Sequence, residues 1–155
     1  MRKVITITGT RSTTHHPAQW YEAAFAAYLA PFATPTAHFF TGGAKGIDSL
    51  ALRWLATHTC SELSVVVPGT VAQQPEEARL AVEHCRNRIT EIVELQAPEL
   101  EASAYHARNR WMVDRSEMTI GFPLETPAAA PSHTGTWQTL DYTASLSKPR
   151  LIVPT

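Results

Sequence analysis

Phe39-Phe40-Thr41-Gly42-Gly43-Ala44-Lys45-Gly46-Ile47-Asp48 reads as a strand, a glycine turn and a helix start. Phe39 and Phe40 suit a short strand buried on both faces. Ile47, Leu50, Ala51, Trp54, Leu55 and His58 follow helical spacing. Gly42, Gly43 and Gly46 let the backbone turn sharply and approach another group closely. A strand entering a helix through such a turn aims N–H groups at one point, where the helix dipole favours negative charge. That is a phosphate seat, with Lys45 able to reach over it. The spacing is not that of a Walker loop, and no Ser or Thr follows the Lys. The competing reading is a purely structural strand-to-helix turn.

Working outward, the same alternation recurs along the chain. Lys3 to Thr8 alternates β-branched residues and predicts a strand ended by Gly9-Thr10-Arg11. A helix is expected from Pro17, with Trp20, Ala24, Ala27 and Tyr28 as its buried stripe, ending at Pro31. Glu62 to Pro68 is nearly all apolar, as a central parallel strand should be. Pro75 to His84 is helix-like, and a strand is expected around Ile92 and Val93. Glu99 to Glu117 reads as a helix with Ala104, Ala107, Trp111 and Met112 inward. Met118 to Phe122 is a further strand, stopped by Pro123. Glu125 to His133 is a Pro- and Ala-rich loop. Gly135-Thr136 opens a helix that Lys148-Pro149 breaks, and Leu151-Ile152-Val153 is the last strand. Strands alternating with helices predict an α/β fold with a doubly wound, mainly parallel sheet.

Length and charge limit what such a fold does. The 155 residues predict one domain with enough chain for a full core. The formal charge of −1 gives no global field towards nucleic acid or a membrane, so anion binding must be local. The opening Met-Arg-Lys and the short strand after it do not make a signal peptide. No apolar run approaches a membrane span. Cys60 and Cys85 have no C-x-x-C spacing, which predicts reduced thiols in a cytoplasmic protein. His15-His16 lacks a zinc-like partner, and neither a metal nor a cofactor is expected.

Ligands of parallel α/β sheets bind beyond the carboxyl ends of the strands. The loops there include Gly9-Thr10-Arg11 and Gly42 to Asp48, with the Gly135-Thr136 turn beside them. Arg11 and Lys45 supply cations. Ala107-Arg108-Asn109-Arg110-Trp111 forms a second unusual stretch. Arg110 and Asp114 are spaced to pair along a helix. A basic cluster beside an aromatic also suits nucleotide stacking, with Trp111 or Trp137 as a wall.

Thr41 to Ala51 resembles the Gly-x-Ala-x-Gly-Ile-Asp segment of the DprA (Smf) family of DNA-processing proteins. Gly9-Thr10-Arg11 resembles that family's Gly-Ser-Arg, and Arg108-Asn109-Arg110 its Arg-Asn-Arg helix. Gly135-Thr136 and Lys148 to Pro154 resemble its closing segment. The resemblance covers most of the chain and implies a single Rossmann-like domain of the wider SLOG superfamily. DprA proteins commonly carry flanking domains, which implies that this chain is a short stand-alone form. LOG-type hydrolases of the same superfamily carry Pro-Gly-Gly-x-Gly-Thr-x-x-Glu. Here Ser132 to Thr139 lacks the first glycines and the Glu, and neither Gln138 nor Thr139 can act as a carboxylate base.

The reading that results is a binding protein rather than an enzyme. Its partner is single-stranded DNA or a nucleotide, held in a glycine-lined cleft, with a role in DNA processing. The expected site is Gly9, Thr10, Arg11, Gly42, Gly43, Lys45, Gly46, Asp48, Arg108, Asn109, Arg110, Gly135 and Thr136. Asp48 is expected to stabilise the helix start rather than to catalyse. Hydrolysis of a nucleotide or N-glycosidic bond is the competing class. A dimeric scaffold with a degenerate pocket is the third, and a homodimer is compatible with either binding reading.

Overall fold

The computed structural model describes residues 2–124 and 134–155; the expected loop from Glu125 to His133 lies outside the described residues. Among the described residues six strands and five α-helices alternate: β1 (Lys3–Gly9), α1 (Ala18–Tyr28), β2 (Ala37–Thr41), α2 (Ile47–His58), β3 (Glu62–Val67), α3 (Glu76–Cys85), β4 (Ile89–Glu94), α4 (Ala102–Asp114), β5 (Met118–Phe122), α5 (Gly135–Ser145) and β6 (Arg150–Ile152). The sheet order is β4-β3-β2-β1-β5-β6. Every neighbouring pair is parallel, which makes the expected doubly wound α/β sheet.

The two faces of the sheet bury different side chains. Successive strand residues point to opposite faces. Phe39 therefore joins the larger core with Ile5, Ile7, Leu55 and Val65, while Phe40 turns to a second cluster with Val66 and Met112. α2 packs against α1 and α3 on the first side, and α4 packs against α5 on the other. Each large apolar side chain removed from water stabilises the fold by about 1.5–3 kcal/mol, and the buried phenylalanines of β2 and valines of β3 contribute on that scale. Two buried strand hydroxyls pair across the sheet face: Thr6 with Ser116, just past the end of α4, at 2.6 Å and Thr119 with Thr143 of α5 at 2.8 Å.

Two helical stripes differ from expectation. In α1 the buried residues are Tyr21, Ala24 and Phe25, with Ala27 and Tyr28 exposed. Phe25 decides this by packing edge-on to Phe122 of β5 at 5.4 Å. Trp20 instead stacks on His16 at 3.9 Å near the surface. In α4 the buried residues are Arg108, Met112 and Val113, and Ala107 is exposed. A buried arginine is a poor guess from polarity alone, yet here carbonyl oxygens accept from its guanidinium.

Candidate functional site

The glycine turn is held by its own chain. The Asp48 carboxylate, at the second position of α2, accepts the N–H of Gly42 at 3.0 Å and of Ala44 at 3.3 Å. The Gly46 N–H donates to Glu77 at 3.0 Å, and the Ile47 N–H to the Thr10 carbonyl at 3.0 Å. Gln74 donates to the Gly43 carbonyl at 2.6 Å. Gly43 and Gly46 have φ of +63° and +78°, the left-handed side that glycine permits. A Cβ on Gly46 would collide with the Thr10 carbonyl. The turn thus departs from the expected phosphate seat: the anions that its N–H groups meet are the carboxylates of Asp48 and Glu77.

Opposite Asp48, Arg108 donates through Nη1 to the Gly42 carbonyl and, at 3.4 Å, to the Val66 carbonyl. Its Nε donates to Asn109 Oδ1 at 2.7 Å. Both charged groups are buried. Burial pushes the Asp48 carboxyl above its ordinary range, offset in part by Arg108, the two N–H groups and Arg11. Burial likewise lowers Arg108, offset by Asp48.

Strands run outward from β1 on both sides, so the crevice at the carboxyl ends of β1 and β5 is the topological switch point. A cavity of about 440 Å³ opens there. Its walls are residues 7–11 at the end of β1, Ala44 and Asp48, one face of α4, Leu124, and residues 134–136 at the start of α5. Arg11 is exposed at its edge with its guanidinium 5.1 Å from the Tyr105 ring centre, a cation–π distance. A second cavity of about 370 Å³ adjoins it between α4 and α5. His106 and Asn109 line both.

The family model for DNA recombination-mediator protein A matches residues 1–155. The chain belongs to that family. Among solved structures, the chain is similar to DNA processing protein A from Helicobacter pylori, a structure described for its unique single-stranded DNA binding mode. Identity is 17%, the TM-score is 0.73, and the match covers 99% of this chain. The chain spans 66% of the length of that one. At this identity the likeness shows the fold. No curated protein matches the chain.

In this member of the family, Gly9, Thr10, Arg11, Asp48, Arg108, Asn109, Gly135 and Thr136 come together around the larger cavity. Arg110 lines the second. Lys45 is exposed beside a small neighbouring hollow that it shares with Arg11 and Tyr105. Gly42, Gly43 and Gly46 are buried behind the wall, where Gly42 lies between Arg108 and Asp48. Arg110 does not make the expected pair with Asp114, which accepts the Tyr142 hydroxyl at 2.6 Å. The Arg110 guanidinium lies 5.8 Å from the Tyr142 ring centre instead. Trp111 packs on Phe40, has the Arg115 guanidinium 3.9 Å from its ring centre, and lines neither cavity.

Tyr105, His106, Gln138 and Tyr142 were missed from the sequence. Helical spacing held the signal for two of them. Tyr105 stands three residues before Arg108, and His106 three and four before Asn109 and Arg110, so the two stripes feed the two cavities. Among the described residues no helix is long and apolar enough to cross a membrane. Cys60 is exposed and Cys85 buried, both as free thiols.

Proposed function

We propose that this family member binds single-stranded DNA along the groove made by the two cavities, as a step in DNA processing. The observation that carries the reading is their adjacency. His106 and Asn109 line both, so the groove runs from Arg11 at the end of β1 to Arg110 and Tyr142 between α4 and α5. A mononucleotide needs one hollow; a strand needs a track. Arg11, Gly135 and Thr136 would meet phosphate at the larger cavity, where the start of α5 adds its dipole. Tyr105 offers a ring for base stacking, in place of Trp111 or Trp137. Family membership and the single-stranded DNA binding described for the Helicobacter protein support the same ligand.

Asp48 supports binding over hydrolysis. It already accepts two backbone N–H groups, and its carboxylate anchors the turn rather than standing ready as a general base. Displacement tests the reading. A fluorescent oligonucleotide bound to the protein is expected to be released by unlabelled strand and not by an equal phosphate concentration of mononucleotide. Equal release by both would make this a small-ligand pocket.

A further inference from the structure

We infer that the second cavity, between α4 and α5, is a subsite for one nucleobase bearing an exocyclic amino group. The inference rests on the strand-binding reading above and adds a base preference to it. The cavity is walled by α4, through Asn109 and Arg110, and by α5, through Gln138, Asp141 and Tyr142. Tyr142 supplies a flat ring, held by the hydroxyl bond to Asp114 and 5.8 Å from the Arg110 guanidinium. A fixed ring stacks a base without choosing among bases.

The polar side chains beside it on α5 supply the choice. Gln138 lines the cavity, and its Oε1 is buried with no hydrogen-bond partner among the described residues. A buried carbonyl oxygen left unpaired is costly, so a turn of the amide that meets a donor from a ligand in the cavity is favoured. Asp141 lines the same wall. Its Oδ1 accepts from Arg150 at 3.3 Å, and a carboxylate retains further acceptor positions. Two acceptors on one wall call for a donor. Asn109 adds the complementary group: its Oδ1 is engaged by Arg108 Nε, which leaves its amide nitrogen as a donor. Cytosine fits this set, with its 4-amino group towards Gln138 and Asp141 and its ring nitrogen towards Asn109. Thymine has the same ring size but presents a carbonyl oxygen where cytosine presents the amino group. Its oxygen would face Gln138 and Asp141, acceptor against acceptor.

The test walks one cytosine through a short oligo-thymidine and measures affinity by fluorescence anisotropy at fixed salt. One position is expected to bind about fivefold or more tightly than the all-thymine strand, the effect of one added hydrogen bond. In Gln138→Met and in Asp141→Asn the cytosine-to-thymine ratio at that position is expected to fall towards one. Tight binding of every strand with no position preferring cytosine would overturn the base subsite and leave strand binding intact. A preference that survives in both variants would overturn the assignment to this cavity. No binding of any strand would overturn both readings together.

Discussion

Asp48 and Arg108 hold Gly42 from opposite sides: the carboxylate accepts its N–H, and the guanidinium donates to its carbonyl. The two charges come from α2 and α4, on opposite faces of the sheet, and meet at one residue of the β2–α2 turn. A Cβ on Gly42 would lie 2.6 Å from Arg108 Nη1 and 2.8 Å from Asp48 Oδ2, so glycine is required for the close approach. This arrangement builds the floor of the groove from backbone and fixed charge.

Arg108→Met is therefore expected to lower stability by about 2–4 kcal/mol, since it leaves the Gly42 and Val66 carbonyls without their donor. Asp48→Ala, which strips two N–H groups of their acceptor, is expected to fall in the same range. Urea denaturation measures both. A loss below about 0.5 kcal/mol in each would mean that the pair does not hold the turn.

The turn also bears on pH. Burial raises the folded carboxyl of Asp48 above its unfolded value. Between those two values the folded state holds a proton that the unfolded chain has released. The stabilising contribution of this group is thus complete below the ordinary carboxylate range and is lost as pH rises through the folded pKa. Asp48→Asn removes that slope, which for one proton amounts to at most about 1.4 kcal/mol per pH unit. Unfolding free energies measured from pH 4 upward are expected to fall more steeply for the wild type than for the variant. Parallel curves would contradict the assignment.

Glycines at the two helix starts should behave oppositely. Gly46→Ala forces a Cβ onto the Thr10 carbonyl at a φ of +78°, and a loss of about 2 kcal/mol or more is expected. Gly43→Val, at φ of +63° and 2.7 Å from Val67 Cγ1, is expected to lose at least as much. A Cβ on Gly135 would meet nothing within 4 Å, so Gly135→Ala is expected to keep the native melting temperature or raise it slightly. Equal melting temperatures for the Gly46 and Gly135 variants would show that the β2–α2 turn is ordinary.

Much of this fold was legible because its signals are local. The apolar run Leu63 to Val67 reads as a buried strand without reference to anything else, and six strands alternating with helices leave few topologies. The site was legible as loops rather than as contacts. Arg11, Asn109 and the Gly135-Thr136 turn reach the groove because strand ends and helix starts must lie there. What the turn does with its N–H groups depends on Asp48 and Glu77, the second 31 residues beyond Gly46 in the chain. No spacing rule announces such a pairing. The α1 stripe failed for a similar reason, since Phe25 outranks Trp20 only because Phe122 stands across from it.

Arg11 carries the largest expected effect on binding. Arg11→Ala is expected to weaken oligonucleotide affinity by about 1.5–3 kcal/mol, the range for a hydrogen bond to a charged group, with the melting temperature unchanged. Lys45→Ala, one exposed cation further out, is expected to weaken it less. Calorimetry at fixed salt measures both, and unchanged affinity in the pair would remove the ligand from this end of the groove.

The central claim is that the two cavities form one track for a strand. Anisotropy with oligonucleotides of increasing length, repeated at several salt concentrations, tests it most directly. Affinity is expected to rise with length until the track is filled. The log–log salt slope is expected to steepen by about −0.7 for each phosphate engaged. A flat length series with a shallow slope would contradict the account, because it would mean that one phosphate-bearing ligand fills a single hollow.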